Sequence, residues 1–206
     1  RTLKATKSLT TFREGDLVIS LDAEKDSILI PYIKEAMGRA LGAVQKRLGY
    51  RPDRPLRIEV YPDSESFHLA SSLTRRDIEV SGAVGIAKFN KIMLISPRVL
   101  ARGYPWLDTL AHEYMHYVIV MLSANQAPVW FHEGTAKFYE SAWRTDVRPA
   151  LDPVSRTLLA RALDGSSLIS FEEMHPSLVK LETAEKVQLA YAEAETAIAL
   201  IASLAG

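Results

Sequence analysis

The residues best suited to chemistry lie in one short stretch, Leu110-Ala111-His112-Glu113-Tyr114-Met115-His116-Tyr117, which contains the pattern H-E-x-x-H. On a helix, residues four apart share a face, so the imidazoles of His112 and His116 can point at one metal ion. Glu113 projects from the same turn, where it can reach a water beside that metal without being a ligand. Tyr114, Met115, Val118, Ile119 and Met121 make this helix apolar nearly all round, which predicts a core position. Ionisable groups on a buried helix are costly unless they are paired or coordinate something. The bland alternative is a pair of satisfied core histidines.

A third ligand separates the two readings. The segment Pro128-Val129-Trp130-Phe131-His132-Glu133-Gly134-Thr135-Ala136 opens with a proline able to start a helix. Glu133 then falls in the first turns, seventeen residues after His116, which is enough chain to reverse direction. Two His and one Glu leave one coordination position open, as catalytic zinc requires. His132 is an alternative ligand, but consecutive helical residues point about 100° apart, so only one of the two faces the metal. Gly134, unfavourable inside a helix, is expected to let the backbone approach the metal-bearing helix closely. Cysteine is absent, so a closed structural site rich in thiolates is excluded. The His and carboxylate ligand types make zinc the expected ion, with other divalent metals able to occupy the same ligands in vitro.

These helices need a scaffold. Leu9 to Leu21 alternates around Glu14-Gly15-Asp16 and predicts a hairpin. Ile33, Met37, Ala40, Leu41, Val44 and Leu48 recur at helical spacing, with Pro31 in the first turn. Leu56 to Tyr61 reads as a strand, and Asp63 or Ser64 caps a helix through about Ser72. Gly82 to Lys88 and Lys91 to Ser96 are two short strands joined by Phe89-Asn90. Helical patterns follow over Trp106 to Ser123, Val129 to Trp143, Pro153 to Leu163 and Glu185 to Leu204, the last stopped by Gly206. Glu172 and Glu173 suit a solvated helix start, Trp130 and Phe131 suit packing between lobes, and His68 and His175 suit surface or capping positions. Strands crowd the first half and helices the second, the α+β pattern. The expected organisation is one domain over residues 1–206, with a β-containing lobe (1–125) and a helical lobe (126–206) joined by Asn125 to Pro128.

Composition narrows the partners. The 206 residues are 48% hydrophobic and 24% charged, an ordinary globular balance. Twenty-five basic residues offset twenty-five acidic ones, so nucleic acid is not expected as a partner. The apolar run Tyr117 to Leu122 is far short of a membrane span of about 20 residues. The opening at Arg1, without an initiator Met, suggests an excised or processed fragment. Nothing in the sequence speaks to oligomeric state.

HEYMH followed by WFHEGTAKFYE resembles the gluzincin branch of the zincin metallopeptidases, and specifically the peptidase MA-like domains. The resemblance at motif level covers Asp108 to Glu140. It implies a zincin-like α+β fold, Zn²⁺ held by His112, His116 and Glu133, Glu113 as catalytic base, and a peptide or protein substrate. It further implies that the segment from Gly82 to Ala87 lines the cleft as an edge strand, with Gly82, Ala83, Val84 and Gly85 binding substrate backbone. Tyr191, fifty-eight residues beyond Glu133, matches the place where relatives put an oxyanion donor. It also falls on the apolar face Val187, Ala190, Ala194, Ile198 and Ile201 and can equally be core. An extracytoplasmic location follows only from the resemblance.

Two departures stand out. Thermolysin-like relatives brace a histidine with an acid four residues after the third ligand; here that position is Lys137, which leaves Glu140 and Asp108 as candidates. The strand by which aminopeptidase relatives hold a free N-terminus has no counterpart in Gly82 to Asn90, which favours endopeptidase action. The rival reading is a non-catalytic zincin-fold binding or assembly module. Retention of Glu113, for which the sequence suggests no structural duty, weighs against it.

Overall fold

The structure, a computed structural model, describes residues 9–71, 73 and 82–205. The expected hairpin forms as β1 (Thr10–Glu14) and β2 (Leu17–Leu21), antiparallel, with Gly15 at φ 59° in the turn. Helix α1 (Ile30–Leu48) buries Ile33, Ala36, Met37, Ala40 and Val44. Left-handed Gly49 ends it, donating its N–H to the Gln45 carbonyl at 3.1 Å.

β3 (Leu56–Tyr61) follows, then α2 (Ser64–Ser71), where Asp63 accepts the Ser66 N–H at 2.7 Å. Ser72, the expected end of α2, lies outside the described residues, as does Gly206. β4 (Gly85–Lys88) and β5 (Lys91–Ile95) are joined by Phe89 and Asn90, at φ 57° and 55°. Two consecutive positive φ values make the tight turn that suits the strands' twist. Gly82 and Ala83, expected within the strand, precede it; pairing starts where the Val84 carbonyl accepts the Ile95 N–H at 2.9 Å.

The five strands form one mixed sheet in the order β1-β2-β3-β5-β4. β2, β3 and β5 run parallel, and the two edge strands are antiparallel to their neighbours. Alternation assigns the faces. Ile58, Val60, Ile92 and Leu94 pack with α1 and with α3 (Trp106–Ser123), whereas Tyr61, Met93 and Ile95 pack with Phe67 and Ala70 of α2.

Ala124 and Asn125, both left-handed, turn the chain after α3, and α4 (Val129–Tyr139) starts behind Pro128. α4 is shorter than expected. Beyond Tyr139 the chain tightens because Trp143 Nε1 and the Arg144 guanidinium both bond Asp108 of α3, at 2.7 and 2.9–3.0 Å. α5 (Pro153–Asp164) is capped by Asp152, and α6 (Ala184–Ala205) closes the chain. No helix starts at Glu172-Glu173: Ser170 and Glu173 satisfy each other's backbone N–H groups within a turn.

Trp130 stacks on Phe171 at 4.1 Å and joins the cluster of Ala162, Ile169, Met174, Leu178, Leu189 and Ala190. The stretch Ala184–Leu204 has the length and mean hydropathy (1.2) of a membrane span, which the sequence reading overlooked. Its buried residues Leu189 and Ala190 nevertheless belong to that packed cluster. His175 is exposed, and His68 is half-buried with an Nδ1 that has no hydrogen-bond partner among the described residues.

Candidate metal centre

His112 and His116 sit one turn apart on α3, with their Nε2 atoms 3.1 Å from each other. Glu133 Oε2 lies 3.6 Å from the first and 3.7 Å from the second. Zinc bonds of about 2.0–2.2 Å in a tetrahedron separate neighbouring ligand atoms by about 3.3–3.6 Å. The three donors therefore stand close to the spacing that one zinc ion needs, and the residues fit the metal. The side chains are 15%, 17% and 22% exposed, so the cluster is sheltered yet open on one side.

Glu133 reaches this place because the left-handed turn at Ala124-Asn125 reverses the chain and α4 returns beside α3. Gly134 has a different duty from the one expected. A Cβ there would lie 2.4 Å from the Ala194 carbonyl oxygen and 2.6 Å from its carbon, so the close approach it permits is of α4 to α6, not to the histidine-bearing helix.

A second layer surrounds the donors. His112 Nδ1 faces Glu140 Oε2 at 3.4 Å, and the other oxygen of Glu140 accepts from Lys137 Nζ at 2.6 Å. Lys137 thus supports an acid three residues further along, and Glu140 takes the bracing position. Asp108, the other candidate, is committed to Trp143 and Arg144. His116 Nδ1 lies 3.4 Å from His132 Nδ1, with the rings 28° from parallel. Tyr191, partly buried on α6, faces Glu133; desolvation first and then the Glu133 carboxylate raise its pKa and keep it a donor.

The charges are mutually consistent. Burial pushes Glu133 up, but its hydrogen bond to His112 and the nearby imidazoles outweigh this and hold it at about 2. Burial pushes His112 down, but hydrogen bonds to Glu133 and Glu140, with the charge of Glu113, raise it to about 10. His116 goes the other way: burial, helped by the charges of His112 and His132, lowers it to about 3. By protein groups alone, His112 is a doubly protonated imidazolium whose Nε2 side faces Glu133 and whose Nδ1 side faces Glu140, while His116 is neutral. A divalent cation placed among the three donors takes over the charge of the Nε2 proton.

Glu113 is 8% exposed. Burial pushes its pKa up to about 7, with the charge of Glu133 adding, while His112 and the Ala87 N–H pull the other way. That N–H belongs to β4, the edge strand. With Val84 bonded inward to β5, antiparallel alternation turns the backbone groups of Gly85 and Ala87 toward the open edge. Gly85 lies hard against α3: a Cβ there would be 3.0 Å from both Glu113 Cγ and Thr109 Cγ2.

A cleft of about 1710 Å³ collects Gly82, Ala83, Val84 and Gly85 on one wall and the three donors, Glu113 and Tyr191 on the others. Every site residue expected from the sequence borders this one space. His132, weighed only as an alternative ligand, meets the far nitrogen of His116 instead; its position one residue before Glu133 was the available signal. No family model matches the chain. It is 24% identical over 158 residues to the uncharacterized protein YhcO of Bacillus subtilis (strain 168), an alignment covering 70% of this chain and 45% of that protein. The chain thus spans less than half the length of the curated relative it matches.

Proposed function

We propose that this chain is a zincin-like domain of the gluzincin type, a zinc metallopeptidase that cleaves peptide bonds inside polypeptides. The observation that carries the reading is the spacing of the three donors, with Glu113 in the same cleft and a strand edge beside it. The five-stranded mixed sheet, with its antiparallel edge strand lying on the histidine-bearing helix, is compatible with that family.

Zinc bound by His112, His116 and Glu133 supplies Lewis acidity toward a carbonyl oxygen and toward water. Glu113, with a pKa near neutrality, accepts a proton from the attacking water and passes it to the leaving amine. The Tyr191 hydroxyl, a donor beside Glu133, is within the cleft where a developing oxyanion needs a hydrogen bond. The outward backbone groups of Gly85 and the outward carbonyl of Ala87 suit an extended peptide added alongside β4. A cleft of this size suits a polypeptide better than a single amino acid.

The test is hydrolysis of a quenched-fluorescence peptide library by the wild type and by Glu113→Gln. Removing a general base costs about 10²–10⁴ in rate, so the variant should bind zinc and cleave that much more slowly. Equal cleavage by the two proteins rules out this role for Glu113. Cleavage by neither, with zinc bound, favours the binding-module alternative.

A further inference from the structure

We propose that His132 is a positioning residue for His116: its Nδ1 accepts a hydrogen bond from the Nδ1–H of His116, which leaves the Nε2 lone pair of His116 free and aimed at the other two donors. The inference rests on the zinc reading above and adds a residue to it.

The two Nδ1 atoms are 3.4 Å apart, so one must carry the shared proton and the other must accept it. If His132 were the donor, His116 would hold its own proton on Nε2. That Nε2 lies 3.1 Å from His112 Nε2, so its proton would point into the donor cluster and exclude a metal. Only the opposite direction leaves His116 able to ligate. The near-parallel rings, 5.6 Å between centroids, further restrict rotation of the His116 imidazole.

Each ligand histidine then has its own brace, a carboxylate for His112 and a neutral imidazole for His116. The residues flanking one peptide bond of α4 divide the work. Glu133 reaches the Nε2 side of the His116 ring, and His132, about 100° around the helix, reaches its Nδ1 side. The result also explains why a histidine beside the third ligand is not itself a ligand.

The experiment measures the zinc Kd by chelator competition for the full chain and three variants, at one pH. Asn places an acceptor oxygen on the atom that bears Nδ1 in His, Gln displaces it by one methylene, and Leu removes it. His132→Leu and His132→Gln should weaken zinc about 10–100-fold, the usual cost of losing such a partner, with His132→Asn closest to wild type. In the zinc-loaded wild type, proton NMR should show a slowly exchanging His116 Nδ1–H, retained in His132→Asn and lost in His132→Leu. A wild type that binds zinc together with a Leu or Gln variant of equal affinity overturns the role of His132 alone. Equal weakening in all three variants also overturns it, since acceptor geometry would then not matter. A wild type that takes no zinc overturns the metal centre itself.

Discussion

Gly134→Ala tests the packing that delivers Glu133 to its place. A Cβ at this position would stand 2.4 Å from the Ala194 carbonyl oxygen, 2.6 Å from its carbon and 2.9 Å from Ile198 Cγ1. Two of these three atoms are backbone, so relief requires α4 and α6 to separate by roughly 1 Å rather than one side chain to turn. Ala is favoured over Gly in a helix by about 1 kcal/mol, while overpacking a close-fitted site costs about 1–3 kcal/mol or more. The backbone contact puts this site at the upper end, for a net loss of about 2 kcal/mol. For a chain of this length that is a fall in Tm of about 4–8 °C. Gly38→Ala and Gly42→Ala are the controls: both lie on the exposed face of α1, where an added Cβ meets nothing within 4 Å. They should stabilise by up to about 1 kcal/mol. Calorimetry or urea titration reads all three. A Gly134→Ala protein as stable as the two controls would refute the close crossing of α4 over α6.

Two further predictions concern the cluster. His112, raised to about 10, carries a proton at pH 8 that a metal must displace. Zinc binding at pH 8 should therefore release about one proton, and affinity should rise about tenfold per pH unit up to that pKa; calorimetry in buffers of different ionisation enthalpy counts the proton, and a count of zero contradicts the His112 assignment. Glu140→Ala, which removes the partner of His112 Nδ1, should weaken zinc about 10–100-fold in a competition assay, whereas Asp108→Ala should act on stability first, because Asp108 holds Trp143 and Arg144 rather than a histidine.

Local signals in the sequence located most of the elements. Helix α3 runs over Trp106–Ser123, where its apolar periodicity begins and ends, and the hairpin turns at Gly15. The H-E-x-x-H spacing pairs His112 with His116 by helical geometry alone, whereas Glu133 joins them through the turn at Ala124-Asn125 that brings α4 back beside α3. What periodicity did not reveal depends on contacts between distant residues. α4 stops at Tyr139 because Asp108, more than thirty residues earlier, binds Trp143 and Arg144. Gly134 answers to Ala194, sixty residues later. Lys137 looked like the loss of a brace, and only the fold reveals that it supports Glu140 in that position. The Glu172-Glu173 pair reads as a helix start until Ser170 closes a turn on it, with Pro176 soon after.

The most direct test of a zinc site made by His112, His116 and Glu133 is elemental analysis of the never-chelated protein beside His116→Ala and Glu133→Ala. One zinc per wild-type chain, lost from both folded variants, is the predicted result. A wild type without metal even after zinc is supplied, or a Glu133→Ala protein that keeps its full zinc content, would contradict it.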